Sequence, residues 1–405
     1  MTETTGATPT GPLKGLRVVD LTRVLAGPTC TQMLGDLGAE VIKIERPEAG
    51  DDTRAFAPPY MPNTRESAYF VGVNRNKKSI TLDIAKPEAQ AIVHQLLESA
   101  DILVENFKVG ALAKYGLGWE QLKEKYPGLI YCSITGFGQT GPYAPRPGYD
   151  ALIQAMGGVM SLTGEIEGEP QKVGIPVADL FAGLYGTIGV LAALRHKQET
   201  GQGQQIDIGM LDTHVAWLAN QGMNYLATGQ NPPRLGNQHP NIVPYQVFPT
   251  ADGYMVLSIG NDPTFERFCK NFGLEHLLAD ERYSTNAARV GNRALVTETL
   301  TALTRTKPTD EWIAKLEALK IGCGPINTLE KVFADPHVQA REMLVTMDHA
   351  SGEPVTVIAN PVKLSATPPD YRSAAPVLGQ HTDEVLASLG HDAAAIAKLR
   401  DGGIV

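Results

Sequence analysis

The chain has 405 residues, 43% of them hydrophobic and 20% charged, the balance of a globular protein with room for more than one domain. A net charge of −9 with no dense Lys/Arg cluster speaks against a nucleic-acid partner. Four widely spaced cysteines (Cys30, Cys132, Cys269, Cys323) and nine histidines without a paired ligand motif speak against a disulfide frame and against a metal site.

The first residues, Met1 to Pro12, are rich in Thr, Gly and Pro and lack the basic-then-apolar pattern of a signal peptide. They read as a disordered lead-in to a cytoplasmic protein. Leu16 to Leu21 is a β-branched strand, followed by a loop, a helix to about Gly35, and a second strand from Glu40 to Glu45. Further strands are expected at Ser79 to Ile84, Asp101 to Phe107 and Leu129 to Thr135, with helices from Pro87 to about Ser99 and near Ala111 to Tyr126. This alternation predicts an α/β fold with an open, mostly parallel sheet. Ligands of such sheets bind beyond the carboxyl ends of the strands, where this chain carries Arg23, Arg46, Asn106, Phe107 and Lys108.

Gly136-Phe137-Gly138-Gln139-Thr140-Gly141 is a literal G-x-G-x-x-G after a strand. The dinucleotide fingerprint needs a helix to open there, but Pro142, Pro145 and Pro147 follow. The glycines are better read as allowing close backbone approach to some ligand.

The run from Ile175 to Leu194 carries one charge, Asp179. Pro176 suits the first position of a helix, which puts Asp179 in the first turn. There the helix dipole favours the carboxylate and desolvation favours the acid, so the direction of its pKa stays open. The plain alternative is that Asp179 merely caps the helix. The run is also long enough to cross a membrane. Gly183, Gly186 and Gly189 at spacing three argue instead for a helix packed on all sides, in a domain core or subunit interface, with no membrane partner.

Beyond a polar turn come a short strand at Gln205 to Gly209, a helix from Leu211 to Ala227, and a Gly/Asn/Pro-rich linker from Thr228 to Pro240. Val243 to Ile259 reads as a hairpin turning at Thr250 to Gly253, with helices at Thr264 to Phe272, Asn292 to Thr304 and Asp310 to Leu319 forming a smaller domain. Gly322 to Pro325 breaks the pattern. A hairpin over Met343 to Met347 and Val355 to Ala359 and an amphipathic helix ending at Leu389 complete the chain.

The segments LKGLRVVDLTRVLAGP, GAEVIKIERPEAGDDTR, ILVENFKVG, SITGFGQTGPYAPRPGYD, VADLFAGLYGTIGVLAALRHKQETGQGQQIDIGMLD and PVLGQHTDEVLASLG resemble, in order and spacing, the family III CoA-transferases (the CaiB/BaiF group). That group includes formyl-CoA:oxalate transferases and α-methylacyl-CoA racemases. The resemblance implies a Rossmann-like large domain built from both chain ends, a smaller α+β domain, and a homodimer of interlocked subunits. The corresponding boundaries are a large domain over 1–200, a linker helix over 201–228, a small domain over 229–330, and a linker and return to the large domain over 331–405.

The resemblance assigns Asp179 as a nucleophile that attacks an acyl-CoA thioester and carries CoA as an aspartyl thioester. The acyl-CoA and a small carboxylic acid are its substrates, with no tightly bound cofactor. Arg46, Asn106, Phe107 and Lys108 match CoA-binding positions, and Leu82, Asp83, Lys114, Gly136, Phe137 and Gly138 fall at others. Leu25, Ala26 and Thr135 are likewise expected at CoA-binding positions; Leu25 and Ala26 stand where the formyl-CoA enzymes have Gln then Ser, and Thr135 where they have Lys, which argues against oxalate chemistry. His239 and Tyr149 are the positions expected to meet substrate. The racemases place His where Tyr149 stands, and a phenol of pKa ~10 is a poor proton carrier at neutral pH. The expected activity is therefore CoA transfer from succinyl-CoA to a small dicarboxylic acid, with a racemase as the alternative.

Overall fold

The computed structural model describes residues 10–62 and 64–405. Most of the expected lead-in, residues 1–9, lies outside them. The chain forms two units: the first takes residues up to Gly157, Val173–Trp217 and His337–Val405, and the second takes Gly158–Lys172 and Leu218–Pro336.

The first unit holds a six-stranded parallel sheet of β1 (Arg17–Asp20), β2 (Glu40–Glu45), β3 (Lys77–Thr81), β4 (Ile102–Glu105), β5 (Ile130–Thr135) and β6 (Gln205–Gly209). The order is β3-β2-β1-β4-β5-β6, so the winding reverses between β1 and β4. Strands covered on both faces are rich in apolar side chains, which Val18 and Val19 of β1, Ile102 to Val104 of β4 and Ile130 to Cys132 of β5 supply. One face packs on helix Ala26–Asp36 and helix Val177–Thr200, the other on Pro87–Leu97 and the C-terminal helices. The C-terminal segment shields the β3 edge, where His381 N–H donates to Ser79 O at 2.9 Å and Thr81 N–H to Thr382 Oγ1 at 3.1 Å.

Helix Val177–Thr200, the central helix, approaches its neighbours closely through its glycines. A Cβ on Gly183 would lie 2.6 Å from Ala26 O, one on Gly186 3.1 Å from Ile134 Cδ1, and one on Gly189 2.9 Å from Ile206 Cγ2. The helix is long and apolar enough to span a membrane, yet one face is buried against the sheet of its own chain. Leu184, Tyr185, Ile188 and Leu191 on its other faces are exposed in the single chain. Beneath Gly186, Cys30 and Cys132 lie side by side as free buried thiols, a pairing hidden by their separation in sequence.

The second unit carries β7 (Tyr245–Pro249), β8 (Tyr254–Ser258) and β9 (Gly322–Pro325) as an antiparallel sheet over a core including Phe248, Phe265, Phe268 and Trp312. A hairpin of β10 (Leu344–Met347) and β11 (Val355–Ile358) belongs to the first unit.

Three expectations are corrected. The stretch 201–228 is not a linker helix: Gln205–Gly209 is the sixth strand of the main sheet, and helices Met210–Ala216 and Ala219–Thr228 are separate. Residues 158–172 group with the second unit rather than the large domain, and Arg234 of that unit bonds the carbonyls of Glu165 and Gly168. Gly322–Pro325 does not break the pattern but pairs with β8, a strand whose glycines give no apolar signal.

Gly183→Ala should destabilise the protein by about 1–3 kcal/mol through overpacking, although Ala favours helix over Gly by about 1 kcal/mol. Urea denaturation measures this, and a variant as stable as wild type would show that the close approach is not a constraint.

Candidate active site

The central helix begins at Val177, so Pro176 is its N-cap rather than its first helical residue, and its ring offers no capping group. The cap comes from elsewhere in the chain. Asp150, at the start of helix Asp150–Met156, accepts from Ala178 N–H at 2.9 Å through Oδ1 and from Gln154 Nε2 at 2.8 Å through Oδ2. Gln154 is fully buried, and its Oε1 accepts from Val173 N–H at 2.8 Å. Two side chains one turn apart thus hold both ends of residues 173–178, satisfying a helix-terminal donor that would otherwise be orphaned.

Asp179 is therefore not the cap. Burial pushes its carboxyl up to about 7, and the negative charge of Asp150 adds to the rise. Desolvation wins over the helix dipole, resolving the direction the sequence left open. Tyr69, from the short helix Ala68–Gly72, shares this field: burial and the charges of Asp179, Asp150 and Asp51 push its phenol up to about 12. His214 is fully buried with both ring nitrogens unpartnered among the described residues, its ring 5.6 Å from Trp217, which lies 4.4 Å from Phe181. Burial lowers the His214 pKa, and Asp150 opposes this.

A cavity of about 260 Å³ opens at the carboxyl ends of β1 to β4, lined among others by Thr22, Arg23, Arg46, Leu82, Asp83 and Phe107. This is the crevice beside the winding reversal, where parallel sheets bind ligands. Asp52 bridges the two arginines, 3.0 Å from Arg23 Nη1 and 2.8 Å from Arg46 Nη2. The Arg23 guanidinium lies 5.3 Å from the Phe107 ring centroid. Beneath the rim, Lys43 pairs with Asp51 at 2.8 Å and donates to Thr22 O, both charges being fully buried. That pair fixes the loop after β2 to the end of β1.

The structure thus brings Arg46, Leu82, Asp83 and Phe107 together around one cavity. Asn106 lies beside it as a clamp, accepting from Arg23 N–H and donating to Arg23 O, so its amide is spent on the backbone. Leu25 and Ala26 are packed into the fold at the start of their helix. Lys108 lines a different cavity with Trp119 and Tyr131, and the Lys114 ammonium sits over the Tyr115 ring. Thr135 ends β5 with its hydroxyl unpartnered among the described residues.

Gly136 and Gly148 pack backbone to backbone: a Cβ on Gly136 would lie 2.5 Å from Gly148 Cα. No helix opens at the G-x-G-x-x-G, and Phe137 is buried in the core. The Gln139 N–H donates to the Asp207 carboxylate. Tyr149 is exposed, and His239 lies in the second unit, stacked on Tyr245. Sequence reasoning missed Asp150, Asp52, Tyr69 and His214. Asp150 stood in plain view as part of Gly-Tyr-Asp, but its partner Ala178 is 28 residues away.

The family described as CoA-transferase family III matches residues 13–382, and the chain belongs to it. It is 48% identical over 382 residues to the succinate–glutarate CoA-transferase of Agrobacterium fabrum, covering 93% of this chain and 96% of that one. It is 42% identical to the human succinyl-CoA:glutarate CoA-transferase, over 97% of this chain and 90% of the relative. A CaiB/BaiF family crystal structure from Brucella suis superposes with a TM-score of 0.83 at 48% identity, covering 94% of this chain and 100% of that one. The protein is accordingly a CoA-transferase.

Because the folded-state pKa of Asp179 is raised, wild-type stability falls as pH rises from about 4, the unfolded value, to about 7, and stays at the lower level above that. Asp179→Asn lacks this loss. Its Tm should exceed that of wild type above pH 7 by roughly 2–4 °C, and the gap should close toward pH 4. A gap independent of pH, read by thermal scans, would contradict the raised pKa.

Proposed function

We propose that this enzyme moves CoA from succinyl-CoA to a small dicarboxylic acid through a thioester on Asp179. The observation that carries the reading is a carboxylate in the first turn of the central helix, relieved of capping by Asp150 and poised near neutrality. The names of its relatives, succinate–glutarate and succinyl-CoA:glutarate CoA-transferases, support the donor and the acceptor class.

In this mechanism an Asp179 oxygen attacks the thioester carbon, giving a mixed anhydride and releasing CoA thiolate. The thiolate attacks the Asp179 carbonyl, forming aspartyl-CoA and freeing the donor acid. The acceptor carboxylate then attacks aspartyl-CoA and expels the thiolate, and the thiolate takes the acceptor acyl group from the second anhydride, restoring Asp179. No net proton is consumed. A desolvated carboxylate suits this work, since loss of its hydration shell strengthens it as a nucleophile and exclusion of water protects the anhydride. Arg23 and Arg46 are read as the cations that meet the phosphates of CoA. The exposed apolar faces of the central helix are read as the surface covered by a second, interlocked subunit around a Rossmann-like unit.

Incubation with succinyl-CoA and a pool of mono- and dicarboxylic acids in deuterated water should yield a new acyl-CoA mass. Asp179→Ala should lower its formation at least about 10³-fold. Deuterium at an acyl α-carbon without a new thioester would point to racemase chemistry instead. In wild type, kcat/KM for succinyl-CoA should rise with pH through about 7 as Asp179 ionises. Asp150→Asn keeps an acceptor for Ala178 N–H but removes a negative charge, so this limb should move to lower pH; an unmoved limb would detach it from Asp179. Arg46→Ala should raise KM for CoA thioesters about tenfold or more, with a smaller change in kcat.

A further inference from the structure

The loop between β5 and the Asp150 helix carries a cation that the mechanism above does not use. The Arg146 guanidinium lies over two aromatic rings, 5.3 Å from the Phe137 centroid and 4.6 Å from that of Tyr143, and these rings meet edge-on at 5.6 Å. Both distances fall in the range where a ring face attracts a cation. These contacts are with ring faces and use no hydrogen-bond acceptor, so the N–H fork of the guanidinium stays available to a planar anion. Arg23, Arg46 and Arg54 each have a carboxylate partner, whereas Arg146 is exposed and has none among the described residues.

Its platform is rigid. Phe137 is buried in the core, Gly136 and Gly148 close the base of the loop backbone to backbone, and Leu211 N–H bonds Gly136 O at 3.0 Å. Four residues after Arg146, Asp150 bonds Ala178, the neighbour of Asp179. Arg146 does not line the cavity that holds Arg23 and Arg46. Arg146 is thus four residues from the cap beside the nucleophile and lies outside the nucleotide cavity. A dicarboxylic substrate has one carboxylate in the reaction and one spare.

We infer that Arg146 selects dicarboxylic substrates by pairing with the carboxylate remote from the reacting centre, an inference that rests on the proposed CoA transfer. The pairing is a charge-assisted, two-point contact. It acts equally on the acyl group of the donor and on the acceptor acid, since both pass through the same acyl position.

The test compares glutarate with pentanoate, its monocarboxylic counterpart, as acceptors from succinyl-CoA in wild type, Arg146→Lys and Arg146→Gln. In a double-displacement reaction the acceptor kcat/KM does not depend on the donor, so damage to the first half cancels. The glutarate/pentanoate ratio of kcat/KM should fall about 10–100-fold in Arg146→Gln, chiefly through KM for glutarate, and part of the loss should return in Arg146→Lys. An unchanged ratio in an active variant overturns the inference. So does a loss common to both acceptors that disappears with 3′-dephospho-CoA thioesters, which would make Arg146 a phosphate ligand. Absence of any transfer by wild type would instead defeat the proposed function itself. Matching thermal unfolding of the three proteins shows that the ratio reports on the site and not on folding.

Discussion

A hydrogen bond from Ala178 N–H to Asp150 sets the character of the site. A helix N-terminus must satisfy its free donors, and the side chain of the N-cap residue is the usual means. Here Pro176 cannot cap, and the task falls to a carboxylate from another helix. The consequence is chemical as well as structural. Among the described residues Asp179 has no hydrogen-bond or ion-pair partner, and burial together with the charge of Asp150 raises its pKa to about 7.

Holding that arrangement requires the central helix to lie close to the sheet. Gly183, Gly186 and Gly189 remove the side chains that would keep it away, so its first turn is placed by backbone contact with helix Ala26–Asp36 and by packing on β5 and β6. The nucleotide-side crevice is held differently, by buried charge. Lys43–Asp51 and Lys77–Asp20 are ion pairs with no solvent exposure, and Glu45 binds Arg54 beside them. Breaking one such pair leaves an uncompensated buried charge, so the pairs lock the loops that present Arg23 and Arg46.

Much of the fold is legible in the chain. Buried parallel strands are rich in β-branched and other apolar residues, and β1, β2, β4 and β5 announce themselves in that way despite the buried charges of Asp20, Lys43 and Glu45. The glycine spacing of the central helix correctly signals close approach. Less visible are elements whose composition says little about their role. Gln205–Gly209 is legible as a short strand but gives no sign that it is the edge strand of the main sheet, and Gly322–Pro325 is a strand defined by its neighbour alone. Within the site, Asp179 and the ring of cavity residues could be named from motif positions. The clamp role of Asn106 and the electrostatic link of Tyr69 to Asp179 depend on distances between segments far apart in the chain.

By itself the sequence determined the class of fold, the place of the one charged residue in the apolar run 175–194, and the glycines that admit close contact. These follow from local periodicity and from the size of side chains, which each residue carries wherever it lies. Only the tertiary structure decided which carboxylate caps the helix, which way the Asp179 pKa moves, and which arginines are already paired. Those properties are set by desolvation and by Coulomb interactions over a few ångströms, and proximity of that kind is created by folding.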